Sequence, residues 1–142
     1  MTEIQQTVYV VEDDEAVRDS LELLLKSDSK PVKTYESANA FLKDYSDKMA
    51  GCIVLDIRMP GMDGMELQKK LNDKHSILPI IFVTGHGDVP MAVDAMKEGA
   101  VDFIQKPYRE EALLEKIEAA LEQDQEQRKS LDEKQEIIRR VK

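Results

Sequence analysis

The run Cys52-Ile53-Val54-Leu55, ended by Asp56 and a dense turn signal, constrains this chain more than any other stretch. Four apolar residues without alternation read as a strand buried on both faces, the signature of a parallel sheet. Met59-Pro60-Gly61 and Met62-Asp63-Gly64 then stop the strand and start a helix. Similar short runs recur at Val8–Val11, Val32–Tyr35, Pro79–Val83 and Val101–Ile104. Between them the apolar spacing turns helical: Val17, Leu21, Leu24 and Leu25; Ala40, Phe41 and Leu42 behind a Ser37 cap; Met65, Leu67 and Leu71 from about Gly64 to Lys74. Ala92, Val93, Ala95 and Met96 follow an Asp88 cap and stop at Gly99, and Leu113, Leu114, Ile117, Ala120 and Leu121 follow Glu110. Strictly alternating strands and helices predict an α/β fold, a parallel sheet with helices on both faces. The polar second strand belongs near an edge.

Length and charge narrow the function. The 142 residues suit one domain with a core and a short appendage. A net charge of −9 argues against a broad nucleic-acid or anionic-membrane surface. No apolar run approaches the roughly 18 residues a membrane helix needs. Met1–Thr7 lacks the basic and apolar regions of a signal peptide, so a cytoplasmic location is expected. The single cysteine, Cys52, excludes an internal disulfide and reads as a core residue.

Four strands end in polar chemistry: Glu12 and Asp13, then Asp56, then Thr84, then Lys106. In a parallel sheet these ends share one rim, where ligands of open α/β sheets bind. Taken singly, each has a bland reading as a cap or turn residue; together they do not. Crowded carboxylates call for a cation, and hard oxygen ligands suit Mg²⁺. A metal, an ammonium and a hydroxyl are what a phosphoryl group needs when a carboxylate attacks it. Asp56, between a buried strand and a turn, is the natural nucleophile.

The chain resembles the receiver domains of two-component response regulators over about residues 6–122. The resemblance is carried by Val10-Val11-Glu12-Asp13-Asp14, by Asp56 with Met59-Pro60-Gly61-Met62-Asp63-Gly64, by Thr84-Gly85-His86-Gly87-Asp88, and by Asp102-Phe103-Ile104-Gln105-Lys106-Pro107. Within that family the stretch from Thr84 to Pro107 is most similar to FixJ-type transcriptional regulators with a LuxR-type helix-turn-helix output. The resemblance implies a flavodoxin-like doubly wound sheet of order 2-1-3-4-5. It implies phosphorylation of Asp56 by a sensor histidine kinase, with Mg²⁺ held by Asp13, Asp56 and the Arg58 backbone carbonyl and a metal water positioned by Glu12. Thr84 and Lys106 would bind phosphoryl oxygens, and Phe103 would be the aromatic switch behind Thr84. Both the site geometry and the resemblance predict a cis Lys106–Pro107 bond. Glu12 stands where many members carry Asp, which lengthens one acid arm.

From Glu122 to Lys142 the sequence is nearly all charged and amide helix formers. The expected organisation is a receiver over 1–122 and a helical linker over 123–142, leading to a DNA-binding output domain that lies outside these residues. The column Ile117, Asp124, Leu131, Ile138 is a weak heptad seam interrupted by an acid; on phosphorylation Leu131 and Ile138 are expected to meet a second copy despite Asp124. The homodimer surface would be the fourth helix, fifth strand and fifth helix. Two further readings stand beside this one. A stand-alone receiver would act by protein–protein contact. A Mg²⁺-dependent phosphohydrolase of the haloacid-dehalogenase type would carry a second acid two residues after the nucleophile, where Arg58 stands.

Overall fold

The computed structural model describes residues 5–85 and 87–141, with side chains described as far as Leu131. His86 of the Thr84–Asp88 motif, and the side chains of Ile137, Ile138 and Val141, therefore lie outside the described residues. The elements run β1 (Thr7–Val11), α1 (Glu15–Ser27), β2 (Val32–Tyr35), α2 (Ala38–Asp44), β3 (Gly51–Asp56), α3 (Gly64–Asp73), β4 (Ile80–Thr84), α4 (Val89–Lys97), β5 (Asp102–Gln105) and α5 (Glu110–Val141). All strand pairings are parallel, in the order β2-β1-β3-β4-β5. This is the expected doubly wound sheet, with β2 at one edge. Strand ends differ from the expected runs by a residue. Pro79 precedes β4 because it has no N–H for the ladder, and its carbonyl accepts from Ile53 N at 2.9 Å.

Period-2 alternation in the strands divides the apolar residues between two cores. Tyr9, Val11, Ile53, Leu55, Ile80 and Phe82 face one side, packed with Phe41, Leu67, Leu71, Ala92 and Ala95 from α2, α3 and α4. Val8, Val10, Cys52, Val54, Ile81 and Val83 face the other, packed with Leu21 and Leu25 of α1 and with Leu113, Ile117 and Ala120 of α5. Burying each large aliphatic side chain contributes about 1.5–3 kcal/mol. Cys52 is fully buried, and burial pushes its thiol up to about 12, which makes it a core residue and not a nucleophile.

Two glycines answer to close approaches. A Cβ on Gly51, at φ +136°, would stand 1.8 Å from the Thr7 carbonyl oxygen. One on Gly64 would stand 2.4 Å from the Asp56 carbonyl oxygen, so α3 is packed hard against the end of β3. Asp14 caps α1, accepting from Ala16 N at 2.9 Å and Val17 N at 3.2 Å; Ser37 and Asp63 cap α2 and α3.

The inner part of the α5 column faces the sheet. Ile117 and Asp124 are fully buried against this chain's own sheet and are not open to a second copy. The inward stripe Leu113, Ile117, Ala120, Asp124 reflects α5 lying across β3 and β4, a contact the heptad pattern alone does not distinguish from dimer pairing. Leu131, seven residues beyond Asp124, is 45% exposed.

Candidate functional site

Because every strand is parallel, the C-terminal ends of β1, β3, β4 and β5 open on one rim, and the expected residues gather there. Glu12 follows β1 and is 3% exposed, Asp13 beside it is exposed, and Asp56 ends β3 half-buried. One carboxylate oxygen from each of these three lies within 4.8 Å of the others. Lys106, just past β5, reaches back between them, with Nζ 3.6 Å from Asp56 Oδ2 and 3.6 Å from Glu12 Oε1. The Lys106–Pro107 bond is cis. Asp14, by contrast, belongs to its helix cap and not to the cluster.

The backbone around the acids is held firmly. The Arg58 N–H donates to Asp56 Oδ1 at 3.3 Å, and the Asp14 N–H to Glu12 Oε2 at 3.3 Å. Arg18 Nη1 donates to the Glu12 carbonyl at 2.9 Å, tying α1 to the end of β1. Thr84 reaches the rim fully buried, but its hydroxyl faces β5, donating to the Ile104 carbonyl at 3.5 Å. Phe103 is half-buried and packed against the core beneath α2, α3 and α4.

The electrostatics show an acid surplus. Burial pushes the Glu12 carboxyl up to about 8, and its hydrogen bond with Asp56 and the Asp56 charge push in the same direction. Burial alone would lower Lys106, but the attractions of Asp56 and Glu12 outweigh it and hold the ammonium above its ordinary value. One ammonium faces three acidic side chains, and the crowding is met by holding a proton on Glu12. An all-oxygen, hard donor set short of positive charge fits Mg²⁺.

Asp88 departs from expectation. It stands at the N-cap position of α4, yet its side chain makes no cap bond to the helix. Its buried carboxylate accepts instead from Arg58 Nε at 2.7 Å, because the guanidinium offers a stronger, charge-assisted donor than a backbone N–H. Sequence reading missed this pair: nothing in either segment signals that the loop after β3 and the start of α4 are neighbours until the sheet order is known.

The family profile described as "Response regulator receiver domain" matches residues 8–118. The response regulator protein TmoT of Ectopseudomonas mendocina is 48% identical over 121 residues, covering 85% of this chain and 55% of that protein. The transcriptional regulatory protein FixJ of Bradyrhizobium diazoefficiens is 47% identical over 134 residues, covering 94% and 65%. The chain thus spans between about half and two thirds of the length of these relatives. Among solved structures, the response regulator StyR superposes with a TM-score of 0.90 at 44% identity, covering 95% of this chain and 68% of that one. The crystal structure of FixJ-N superposes with a TM-score of 0.76 at 46% identity, covering 89% of this chain and 96% of that one. With its fold, its rim of acids and these relatives in agreement, the chain belongs to the response regulator receiver domain family.

Proposed function

We propose that Asp56 is the phosphoacceptor of a two-component relay, taking a phosphoryl group from a sensor histidine kinase in a Mg²⁺-dependent reaction. The observation that carries this reading is Lys106 Nζ at 3.6 Å from both Asp56 and Glu12, at the mouth of an acid cluster. Asp13, Asp56 and the Arg58 carbonyl would hold the Mg²⁺, with Glu12 positioning one of its waters. When bound, the ion neutralises carboxylate and phosphoryl charge.

The chain's own residues do the rest. An Asp56 carboxylate oxygen forms the new P–O bond as the donor's bond to phosphorus breaks. The Lys106 ammonium takes one equatorial phosphoryl oxygen. Thr84 gives up its long 3.5 Å bond to Ile104 and donates its hydroxyl to another. The turn of Thr84 vacates space into which Phe103, already half-buried, packs more deeply. That repacking remodels α4, β5 and α5, the surface proposed for homodimerisation. Residues 1–122 would be the phosphoacceptor unit and 123–142 the linker, with DNA contacted only through an output domain outside these residues. The described residues include no helix long and apolar enough to cross a membrane, which accords with a cytoplasmic role.

The test is incubation with acetyl phosphate and Mg²⁺ followed by tandem mass spectrometry. One phosphoryl group per chain on Asp56, absent from Asp56→Asn, is expected. Modification elsewhere, or none, would overturn the assignment. Multiple turnover of a generic phosphomonoester would favour a phosphohydrolase instead.

A further inference from the structure

The acid that interrupts the α5 stripe sits at the end of the sheet opposite the phosphoacceptor rim. Asp124 is fully buried, and three separate groups donate to its carboxylate. The Gly51 N–H donates to Oδ2 at 2.9 Å, Gln6 Nε2 donates to the same oxygen at 3.1 Å, and Arg128 Nε lies 3.0 Å from both oxygens. Gln6 Nε2 also donates to the Leu121 carbonyl at 2.7 Å, and Arg128 Nη2 donates to the Met49 carbonyl. The carboxylate therefore joins the entry to β1, the entry to β3 and two successive turns of α5.

A solvated helix would not bury a charge. A buried carboxylate is tolerated only when paired and fully hydrogen-bonded; here Gly51 and Gln6 donate from outside the helix, and Arg128 donates from the next turn of α5. Gly51 is fixed by its approach to Thr7, where no side chain fits. Its N–H begins β3, where among the described residues its acceptor is Asp124, and a buried N–H without an acceptor is costly. The docking is thus reciprocal: the helix supplies an acceptor the sheet needs, and the sheet supplies donors the helix charge needs. On the apolar side, Ile117 and Ala120 place the preceding turn flush on β3 and β4, which leaves Asp124 no alternative path.

We propose that Asp124 is a positioning residue that pins α5 to the base of the sheet through Gly51 and Gln6, with Arg128 held beside it and bonded to Met49, so that the helix beyond leaves the domain as a rigid lever and not as a flexible tether. Backbone helix continues over residues 129–141, about 20 Å at 1.5 Å per residue. With its base fixed at Gly51 and its body fixed at Leu113 and Ile117, the helix has one exit direction. Any displacement of α5 is delivered to its far end as a rigid-body movement. The inference concerns helix geometry alone and holds whether or not Asp56 is phosphorylated.

The test is the distance distribution between nitroxides on Lys43→Cys and Lys129→Cys, exposed sites on α2 and α5, with excess unlabelled protein to suppress signals between copies. Cys52 stays in place, since it is buried and its thiol remains protonated. A single narrow distribution is expected, broadening at least twofold in Asp124→Ala and less in Arg128→Ala, while circular dichroism reports the sheet intact. In parallel, exchange of the Gly51 amide should speed up at least tenfold in Asp124→Ala. If Asp124→Ala does not fold, Arg128→Ala and Asp124→Asn carry the same two measurements. A distribution already broad without these substitutions, or one unchanged by them, would overturn the proposal.

Discussion

Arg58 Nε lies 2.7 Å from Asp88 Oδ1, joining the loop after β3 to the first turn of α4 through two side chains of very different exposure: 71% for the arginine and 7% for the aspartate. The asymmetry decides what each truncation costs. Arg58→Ala strands a buried carboxylate and should destabilise by about 2–3 kcal/mol. Asp88→Ala leaves a guanidinium that water already solvates and should cost about 1 kcal/mol or less. Urea unfolding of both single variants and the double variant checks this. Equal costs would mean that the pair is solvated rather than buried on one side.

Mg²⁺ affinity should separate Asp13 at the rim from Asp63 in the turn before α3. Asp13→Ala removes a carboxylate from the rim cluster and should weaken Mg²⁺ binding by tenfold or more, because dehydrating a small hard cation needs anionic oxygens. Asp63→Ala removes only the cap accepting from Glu66 N at 2.9 Å. It should lower stability by about 1 kcal/mol and leave Mg²⁺ affinity unchanged. A metal titration that weakens both alike would relocate the site.

Glu12 sets a pH dependence whose sign follows from its raised carboxyl, about 8 folded against 4.5 for the free side chain. Below 4.5 the group is protonated in both states and contributes nothing. Between 4.5 and 8 the folded protein keeps a proton that the unfolded chain has released, so stability falls as pH rises, by about 1.4 kcal/mol per pH unit at most. Above 8 the penalty is complete. In the absence of divalent metal, Glu12→Gln should therefore match the parent protein near pH 4 and exceed it in stability near pH 9. Denaturation curves in a chelator at the two pH values provide the check, and a constant difference would contradict it.

Asp56→Asn relieves the same crowding. It removes a charge that pushes against Glu12 and should raise metal-free stability while abolishing phosphoryl incorporation. Thermal melting with a chelator and mass spectrometry with acetyl phosphate read the two effects. A variant less stable than its parent would mean that Lys106 is worth more to Asp56 than Glu12 costs it.

Assembly should respond to a phosphoryl mimic. With beryllofluoride and Mg²⁺, the protein is expected to dimerise more tightly, and Phe103→Ala to lose most of that response. Sedimentation velocity over a range of concentrations is the measurement. Ile117 and Asp124 face their own sheet, so the proposed contact would use the outer face of α5. A full response from Phe103→Ala would remove the aromatic from the switch.

The local chemistry of this chain was legible in its sequence because it depends on short-range rules. Apolar runs such as Cys52–Leu55 make buried strands, Asp14, Ser37 and Asp63 cap helices, and alternation of the two periods makes a parallel sheet whose ends share a rim. Those rules alone bring Glu12, Asp13, Asp56 and Lys106 to one rim. They do not reach what depends on where one element's side chains meet another's. Asp88 stood where a cap belongs, but only the folded loop after β3 supplies Arg58 as the stronger donor. Asp124 looked like a flaw in a dimer seam because periodicity shows that one side of a helix is inward and not what it is inward to. The tertiary structure decided that it is the sheet's own Gly51. A heptad stripe and a docking stripe have the same spacing, and only packing tells them apart.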